Sequence, residues 1–233
     1  MSLDPYTDSA TGLLRNSLGI TDRDELAAAE ADITTARIMR LAQRPIPGRY
    51  DLPHLQAIHK EIFGSIYPWA GQIRTVEIAK DATQFCRTGM IRAFAEDVFG
   101  TLARKDHHLR GLGREEFLTK LADLYGDVNA LHPFREGNGR TQRAFLAQLA
   151  ADAGHRLDWT GMDPERNRLA SIASVIGPNA PLRMMLAELT APFAAPVAPG
   201  QSAASGPLAA PLPVAVPSPP VQHDATPPIQ PRP

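Results

Sequence analysis

The stretch from Leu131 to Arg143 reads LHPFREGNGRTQR and predicts more about the fold and chemistry of this chain than any other segment. It contains a histidine, an acid, a Gly-Asn-Gly turn and two arginines. The residues before it repeat apolar side chains at helical spacing, and Pro133 disfavours helical geometry for the residue that precedes it. We therefore expect one helix to end at His132 and a second to begin at about Arg140 or Thr141.

The turn and the arginines of this stretch are suited to binding phosphate. A tight turn at Gly137, Asn138 and Gly139 points successive backbone amides inward, which creates an anion-binding nest. The positive end of the second helix faces the same place. Arg140 and Arg143 are three residues apart, so they share one helix face, and each guanidinium can bind two phosphate oxygens. The segment therefore predicts a cradle for a polyphosphate.

Two further groups, Glu136 and His132, supply a metal ligand and a base. Mg²⁺ bound to a polyphosphate usually takes one or two protein carboxylates, and Glu136 provides one. An unperturbed imidazole has a pKa of about 6.5, so His132 is largely neutral at physiological pH and can accept a proton from a hydroxyl group. Taken singly, the histidine ends a helix, the glycines make a turn and the arginines cap carbonyl groups. Their fixed order favours the chemical interpretation.

A resemblance to a known family supports this interpretation. The chain is similar to the Fic family both in this stretch and upstream of it, over about residues 10 to 190, leaving the C-terminal segment outside. The resemblance implies an enzyme that uses Mg²⁺ and transfers AMP from ATP to a hydroxyl side chain of a target protein. The matching motifs are Tyr67-x-Trp69-Ala70-Gly71-x-Ile73-Arg74 and His132-Pro133-Phe134-x-Glu136-Gly137-Asn138-Gly139-Arg140-x-x-Arg143.

The resemblance also assigns roles to single residues. It makes His132 the catalytic base and Glu136 the Mg²⁺ ligand. In this family a strand pair before the motif is a flap that aligns the backbone of the target by strand addition. The resemblance assigns nucleotide binding to Phe134, Gly137, Asn138, Gly139, Arg140 and Arg143, and the target-binding flap to Val76, Glu77, Ile78 and Phe85.

Two details of the resemblance concern the reaction and its regulation. Relatives of the Doc type, which phosphorylate, carry lysine where this chain has Gly139, so the glycine favours AMP transfer. Many Fic proteins carry an inhibitory helix with the pattern Ser or Thr, three residues, Glu, then Gly or Asn. The nearest match begins at Thr21 but has Leu26 in the last position. We therefore expect a toxin whose inhibitor is a separate small antitoxin, with a glutamate that pairs with Arg143.

Several alternatives stay open for the target and the transferred group. Toxins of this kind modify subunits of type II topoisomerases, which are the first targets to test, although a GTPase or the enzyme itself is equally compatible. Transfer of UMP or phosphate is an alternative reaction. A catalytically idle Fic binding module, which docks partners without modifying them, is an alternative of another class.

The apolar spacing predicts a mainly α domain, a helical bundle of the Fic type with a short β-hairpin flap. The hairpin is expected within residues 73 to 85, where β-branched residues alternate with polar ones. We expect helices to begin at Thr21, with Asp24 completing a capping box, at Asp51 and at Pro164. Further helices are predicted by apolar positions at Ile91, Phe94, Val98 and Leu102, by a seam at Phe117, Leu121, Leu124, Val128 and Leu131, and over Thr141 to Gly154 and Pro181 to Leu189.

Composition divides the chain at about residue 190. Of its 22 prolines, 13 lie in residues 191–233, where large apolar side chains are few. We predict a Fic domain at 1–190, with its core at about 50–155, followed by a disordered Pro-rich tail.

The formal net charge of −1 favours neither nucleic acid nor an anionic membrane as a partner. We find no apolar run long enough to span a membrane, and Cys86, the single cysteine, has no internal disulfide partner. These features favour the cytoplasm, with a secreted effector as the alternative.

Overall fold

Seven helices make up most of the fold. The structure, a computed structural model, describes residues 4–80, 83–177 and 179–192, which belong to one compact unit. The mainly α prediction is confirmed. The helices in the described ranges are α1 (Arg23–Gln43), α2 (Leu52–Phe63), α3 (Ile91–Arg104), α4 (Arg114–Leu131), α5 (Asn138–Asp152), α6 (Pro164–Ile176) and α7 (Ala180–Leu189).

Side-chain caps explain where the first two helices begin. The Asp51 carboxylate accepts a hydrogen bond from the His54 amide at 3.0 Å, so the predicted cap of α2 is confirmed. The first helix starts later than predicted. Asp22, and not Thr21, is its cap, because the Asp22 carboxylate accepts hydrogen bonds from the amides of Asp24 and Glu25, the second and third residues of the helix.

The core forms around α4, which packs against α3, α5, α6 and α7. Its seam of five predicted apolar residues is buried along its whole length, and each member is at most 5% exposed. Burying a side chain of this size removes enough apolar surface to stabilise the fold by roughly 1.5–3 kcal/mol. The catalytic stretch predicted from the sequence therefore follows directly after a helix that is packed into the core. Among the described residues, no helix is long and apolar enough to cross a membrane.

Two small antiparallel strand pairs accompany the helices. β1 (Ala79–Lys80) pairs with β2 (Thr83–Gln84), which places a hairpin where one was predicted, although its paired part is shorter than expected. β3 (His155–Leu157) pairs with β4 (Thr190–Pro192), and this sheet was not predicted. Residues 191 and 192 were assigned to the tail and instead form part of β4. The rest of the predicted tail lies outside the described residues.

Candidate active site

The predicted break between two helices is present, with one difference in its position. α4 ends at Leu131, and His132 adopts a left-handed backbone conformation with φ 40° and ψ 60°. Such a conformation is costly for a residue that has a Cβ, so its surroundings must hold it in place. Gly137, with φ 79°, is the cap residue directly before the second helix. Because α5 starts at Asn138 and not at Arg140 or Thr141, the Asn138 and Gly139 amides form the first turn of the helix.

The hydrogen bond at Nδ1 of His132 defines its tautomer. Nδ1 lies 2.9 Å from the carbonyl oxygen of Asn129. A carbonyl only accepts, so Nδ1 carries the proton and Nε2 keeps a free lone pair. Burial, with smaller contributions from the cationic side chains of Arg74 and Lys80, lowers the pKa of the His132 imidazole to about 4. The imidazole is therefore neutral at physiological pH, as a general base requires.

The amino end of α5 is open to an anion. No side chain caps it, so the amides of its first turn are available to an external acceptor. The amide of Gly137, the residue before the helix, donates to the Glu136 carboxylate at 2.8 Å. That carboxylate is 45% exposed, so its second oxygen can bind a cation. Residues predicted to bind phosphate and metal therefore meet at one helix terminus.

Phe134 and Asn138 shape this loop from inside the protein. The Asn138 side chain accepts from the Phe134 amide at 2.9 Å and donates to the Phe134 carbonyl at 2.8 Å. The Phe134 ring is fully buried and stacks on His59 at 3.9 Å between ring centroids. His59 accepts from the Gly71 amide at 2.7 Å and donates to the Glu136 carbonyl at 3.0 Å. The prediction of nucleotide contact by the Phe134 side chain is therefore wrong, because the ring is closed inside the core. Asn138 braces the turn and also lines the cavity, so its contact with the nucleotide stays a prediction.

The two motif arginines have different surroundings. Arg140 points toward α1, where its Nη2 lies 2.5 Å from the Glu30 carboxylate, and its guanidinium packs 4.8 Å from the centre of the Phe63 ring. The Tyr67 hydroxyl donates to the other oxygen of Glu30. No carboxylate pairs with Arg143 within the ranges that the structure describes. Arg143 is therefore the arginine whose charge is available to a phosphate group.

The predicted flap borders the same cavity. Phe85 stacks on the His132 imidazole, with 3.6 Å between ring centroids and 13° between the planes. Val76, Glu77 and Ile78 lead into β1 and line the cavity as well. The Glu77 carboxylate accepts hydrogen bonds from the amide and hydroxyl of Thr88, which fixes the stem of the flap. The flap is thus in contact with the predicted base.

One cavity of about 1390 Å³ contains nearly all the predicted site residues; Phe134 is absent from its lining. Several lining residues were not predicted, because they lie outside the motifs or at unspecified positions within them: Asp4, Lys80, Asn129, Arg135, Gln142 and Asn167. Asp4 reaches the site because its carboxylate pairs with Arg135 at 2.7 Å. Among the described residues, no group of three or more histidine, cysteine or acidic side chains could hold a metal on its own.

Comparisons with known proteins agree with this geometry. The model of the Fic/DOC family matches residues 49–150. The chain is 44% identical over 176 residues to the protein adenylyltransferase VbhT of Bartonella schoenbuchensis, a match that spans 76% of this chain and 37% of VbhT. It is 37% identical over 180 residues to a probable protein adenylyltransferase Fic of Salmonella typhimurium, covering 77% of this chain and 88% of that protein.

A solved structure is similar as well. The chain superposes with a TM-score of 0.74 and 26% identity on the BepC protein of Bartonella tribocorum, a VirB-translocated effector solved with bound AMPPNP. The match covers 81% of this chain and 97% of that one. Motif, fold and nearly full-length similarity to the Salmonella protein lead to one conclusion: the chain belongs to the Fic/DOC family.

Proposed function

We propose that this chain is a protein adenylyltransferase, which transfers AMP from ATP to a hydroxyl side chain of a target protein. One observation carries the proposal. A neutral His132 with a free Nε2 lies in the same cavity as the uncapped amino end of α5, the Glu136 carboxylate and Arg143, which has no acidic partner among the described residues. The names of the relatives and the AMPPNP bound to BepC support the reaction and the nucleotide.

The reaction follows from this arrangement. Nε2 of His132 takes the proton of the target hydroxyl while the hydroxyl oxygen bonds to the α-phosphorus of ATP. The bond from the α-phosphorus to the oxygen that bridges to the β-phosphate breaks, and pyrophosphate leaves. The first-turn amides of α5 and the Arg143 guanidinium offset the charge that develops on the phosphates. Release of the proton from His132 then restores the neutral base, which its low pKa favours.

Glu136 is the residue that would hold Mg²⁺. The carboxylate is half exposed at the cavity, and it is a single oxygen donor group, not part of an all-protein cage. This suits an ion that keeps several waters and takes its other ligands from substrate phosphates. When bound, Mg²⁺ neutralises charge on the leaving pyrophosphate.

Target and inhibitor are proposed at two edges of the cavity. The target segment lies along the flap, where β1 and β2 form a two-stranded ribbon with free edges, next to the Phe85–His132 stack. An antitoxin glutamate pairs with Arg143, which has no acidic partner among the described residues. We keep a type II topoisomerase subunit as the first target to test.

The toxin role implies a cytoplasmic location for the protein. The similarity to the translocated effector BepC favours the alternative, a secreted effector.

Labelling with ATP tests the proposed reaction. Purified protein is incubated with Mg²⁺, a bacterial lysate and ATP labelled at either the α- or the γ-phosphate. We expect a labelled protein band from α-labelled ATP only. Label from γ-labelled ATP would assign the chain to the phosphorylating branch of the family. Absence of label from ATP, UTP and several lysates would favour the idle binding module.

The pH dependence of transfer tests the state of His132. Because its pKa is about 4, the base stays unprotonated down to well below pH 6. We expect kcat/KM for the target, at saturating ATP and Mg²⁺, to change by less than about 1.5-fold between pH 8 and pH 6. A base with the ordinary pKa of about 6.5 would lose roughly fourfold over this range. An acidic limb centred near pH 6.5 would contradict the assignment.

The motif arginines are expected to respond differently to removal. Arg143→Ala removes the available charge from the phosphate site, so we expect the affinity for ATP to fall by about 10-fold or more, with little change in stability. Arg140→Ala removes the only cationic partner that Glu30 has among the described residues and leaves the carboxylate with the Tyr67 hydroxyl. This carboxylate is only 16% exposed. We expect the free energy of unfolding to fall by about 2 kcal/mol. Urea unfolding and calorimetric ATP titration of both variants measure the two effects, and equal effects would refute the distinction.

A further inference from the structure

We propose that Arg74 is a positioning residue for the transfer reaction, which holds the catalytic base and both stems of the flap in one hydrogen-bonded unit. The inference rests on the proposed function, since it concerns how His132 meets the target. It goes beyond that function by assigning a role to a residue outside the catalytic motif that contacts neither the nucleotide nor the reacting atoms.

The contacts of Arg74 connect three separate segments. Nε donates to the carbonyl oxygen of His132 at 2.9 Å, and Nη1 donates to that of Val76 at 2.8 Å. Nη2 donates to the carbonyl oxygen of Cys86. The backbone amide of Arg74 donates to the carbonyl oxygen of Pro133 at 2.9 Å. One residue therefore joins the stem before β1, the stem after β2 and the start of the motif loop.

The burial of Arg74 indicates that this arrangement is specific. Its side chain is 0% exposed, and its ion-pair partner, Glu77, lies 3.5 Å away with a side chain that is 61% exposed. Burying a guanidinium is unfavourable unless its donors are satisfied, and an apolar side chain would fill the same volume without that cost. Only arginine offers planar donors that diverge toward three carbonyl groups. Its presence is explained by the segments that it holds together.

The held segments are those whose relative position decides the reaction. The His132 carbonyl belongs to the residue in the left-handed conformation, so the bond from Arg74 helps to fix that backbone and with it the imidazole. Val76 precedes the strands of the flap and Cys86 follows them. Phe85, beside Cys86, stacks on the His132 ring. An error of about 1 Å in such an alignment can cost about 100-fold in rate.

Loss of Arg74 is expected to loosen the flap without unfolding the domain. The Cys86 amide also donates to the carbonyl oxygen of Ala130 at 2.9 Å, so one bond between flap and α4 remains. ATP binds at the amino end of α5, which Arg74 does not contact. We therefore predict that kcat falls while the affinity for ATP is retained. A general loss of structure would lower both.

The chain carries its own reporter of the flap. Cys86 is the only cysteine in the sequence, it is partly buried, and its carbonyl is one of the three that Arg74 holds. Its rate of alkylation by iodoacetamide reports how well the stem of the flap shields the thiol, because a more exposed thiol reacts faster. This readout does not depend on enzymatic activity.

The experiment compares two variants. Arg74→Lys keeps the positive charge but loses the planar guanidinium with its several donors. Arg49→Lys makes the same change at an arginine whose side chain is 87% exposed. AMP transfer is followed on the acceptor band that the wild-type protein labels from α-labelled ATP. For Arg74→Lys we expect kcat to fall by about 10- to 100-fold, ATP affinity to stay within about threefold, and Cys86 alkylation to accelerate by about 10-fold. Arg49→Lys should change none of these.

Several outcomes would overturn the proposal. Wild-type kcat and alkylation rates in Arg74→Lys would show that the contacts do not matter. Loss of ATP affinity in parallel with kcat, or unfolding of both Arg74→Lys and Arg74→Gln, would make the residue a structural support only. If the wild-type protein labels no acceptor, the proposed function fails. Unchanged Cys86 alkylation in Arg74→Lys would then overturn the proposed flap contact separately, and faster alkylation would support it.

Discussion

Replacing His132 with alanine is expected to lower the rate of AMP transfer by about 10²- to 10⁴-fold, the usual contribution of a general base. The reason is structural. The Asn129 carbonyl holds the proton on Nδ1, which leaves Nε2 as the acceptor, and burial keeps the ring neutral. Alanine removes the acceptor but leaves the α5 amides and Arg143 in place. We therefore expect ATP affinity to stay within about threefold of wild type, as measured by calorimetry.

A second histidine provides the control for this variant. His107 is exposed and also has a positive φ, of 47°, so His107→Ala makes the same chemical change in a comparable backbone conformation away from the cavity. It should transfer AMP at the wild-type rate. Transfer by His132→Ala within a factor of about three of wild type would exclude His132 as the base.

The Gly137→Ala variant is expected to cause the largest loss of stability among single changes in the motif loop. Gly137 has φ 79°, and a Cβ there would lie 2.3 Å from the Phe63 ring. A left-handed conformation costs a residue with a Cβ about 1–2 kcal/mol, and forcing atoms into a packed core costs about 1–3 kcal/mol. We expect the free energy of unfolding to fall by about 3 kcal/mol in urea titrations. Transfer should be lost as well, because the amino end of α5 shifts.

Gly139→Ala is the matched control in the same loop. Gly139 lies in the first turn of α5, and a Cβ there would meet only the end of the flexible Arg143 side chain, at 3.2 Å. Alanine is the better helix former, so we expect a stabilising change of about 0.5 kcal/mol. Equal destabilisation by the two alanines would contradict the conformational argument for Gly137.

The sequence predicted those parts of the fold that depend on local pattern. Apolar spacing along α4, the Asp51 cap of α2 and the effect of Pro133 on the preceding residue are each fixed by a few neighbouring residues. These signals placed most of the helices and the break at His132. They misplaced the start of α1, because Asp22 and Thr21 are both suitable caps and only the folded backbone selects one. The β3–β4 pair was missed because its strands are far apart in sequence.

The composition of the candidate site also came from the sequence. Order and spacing indicated His132, Glu136 and the glycines, and the family resemblance pointed to the flap. The sequence treated Arg140 and Arg143 as equivalent phosphate ligands, since both lie on one face of a helix. Their difference arises from Glu30 on α1, 110 residues from Arg140 in the chain. Phe134 looked like a nucleotide contact and instead stacks on His59 inside the core.

By itself, then, the sequence determined which chemical groups this protein brings to its site and on which helix ends they stand, because helix periodicity, capping and turn formation are local. The tertiary structure alone decided which of those groups are available. Whether a guanidinium meets a phosphate, a carboxylate or three backbone carbonyls depends on what packs against it. Arg143, Arg140 and Arg74 differ in this respect because non-local contacts set the burial and the partners of each charge.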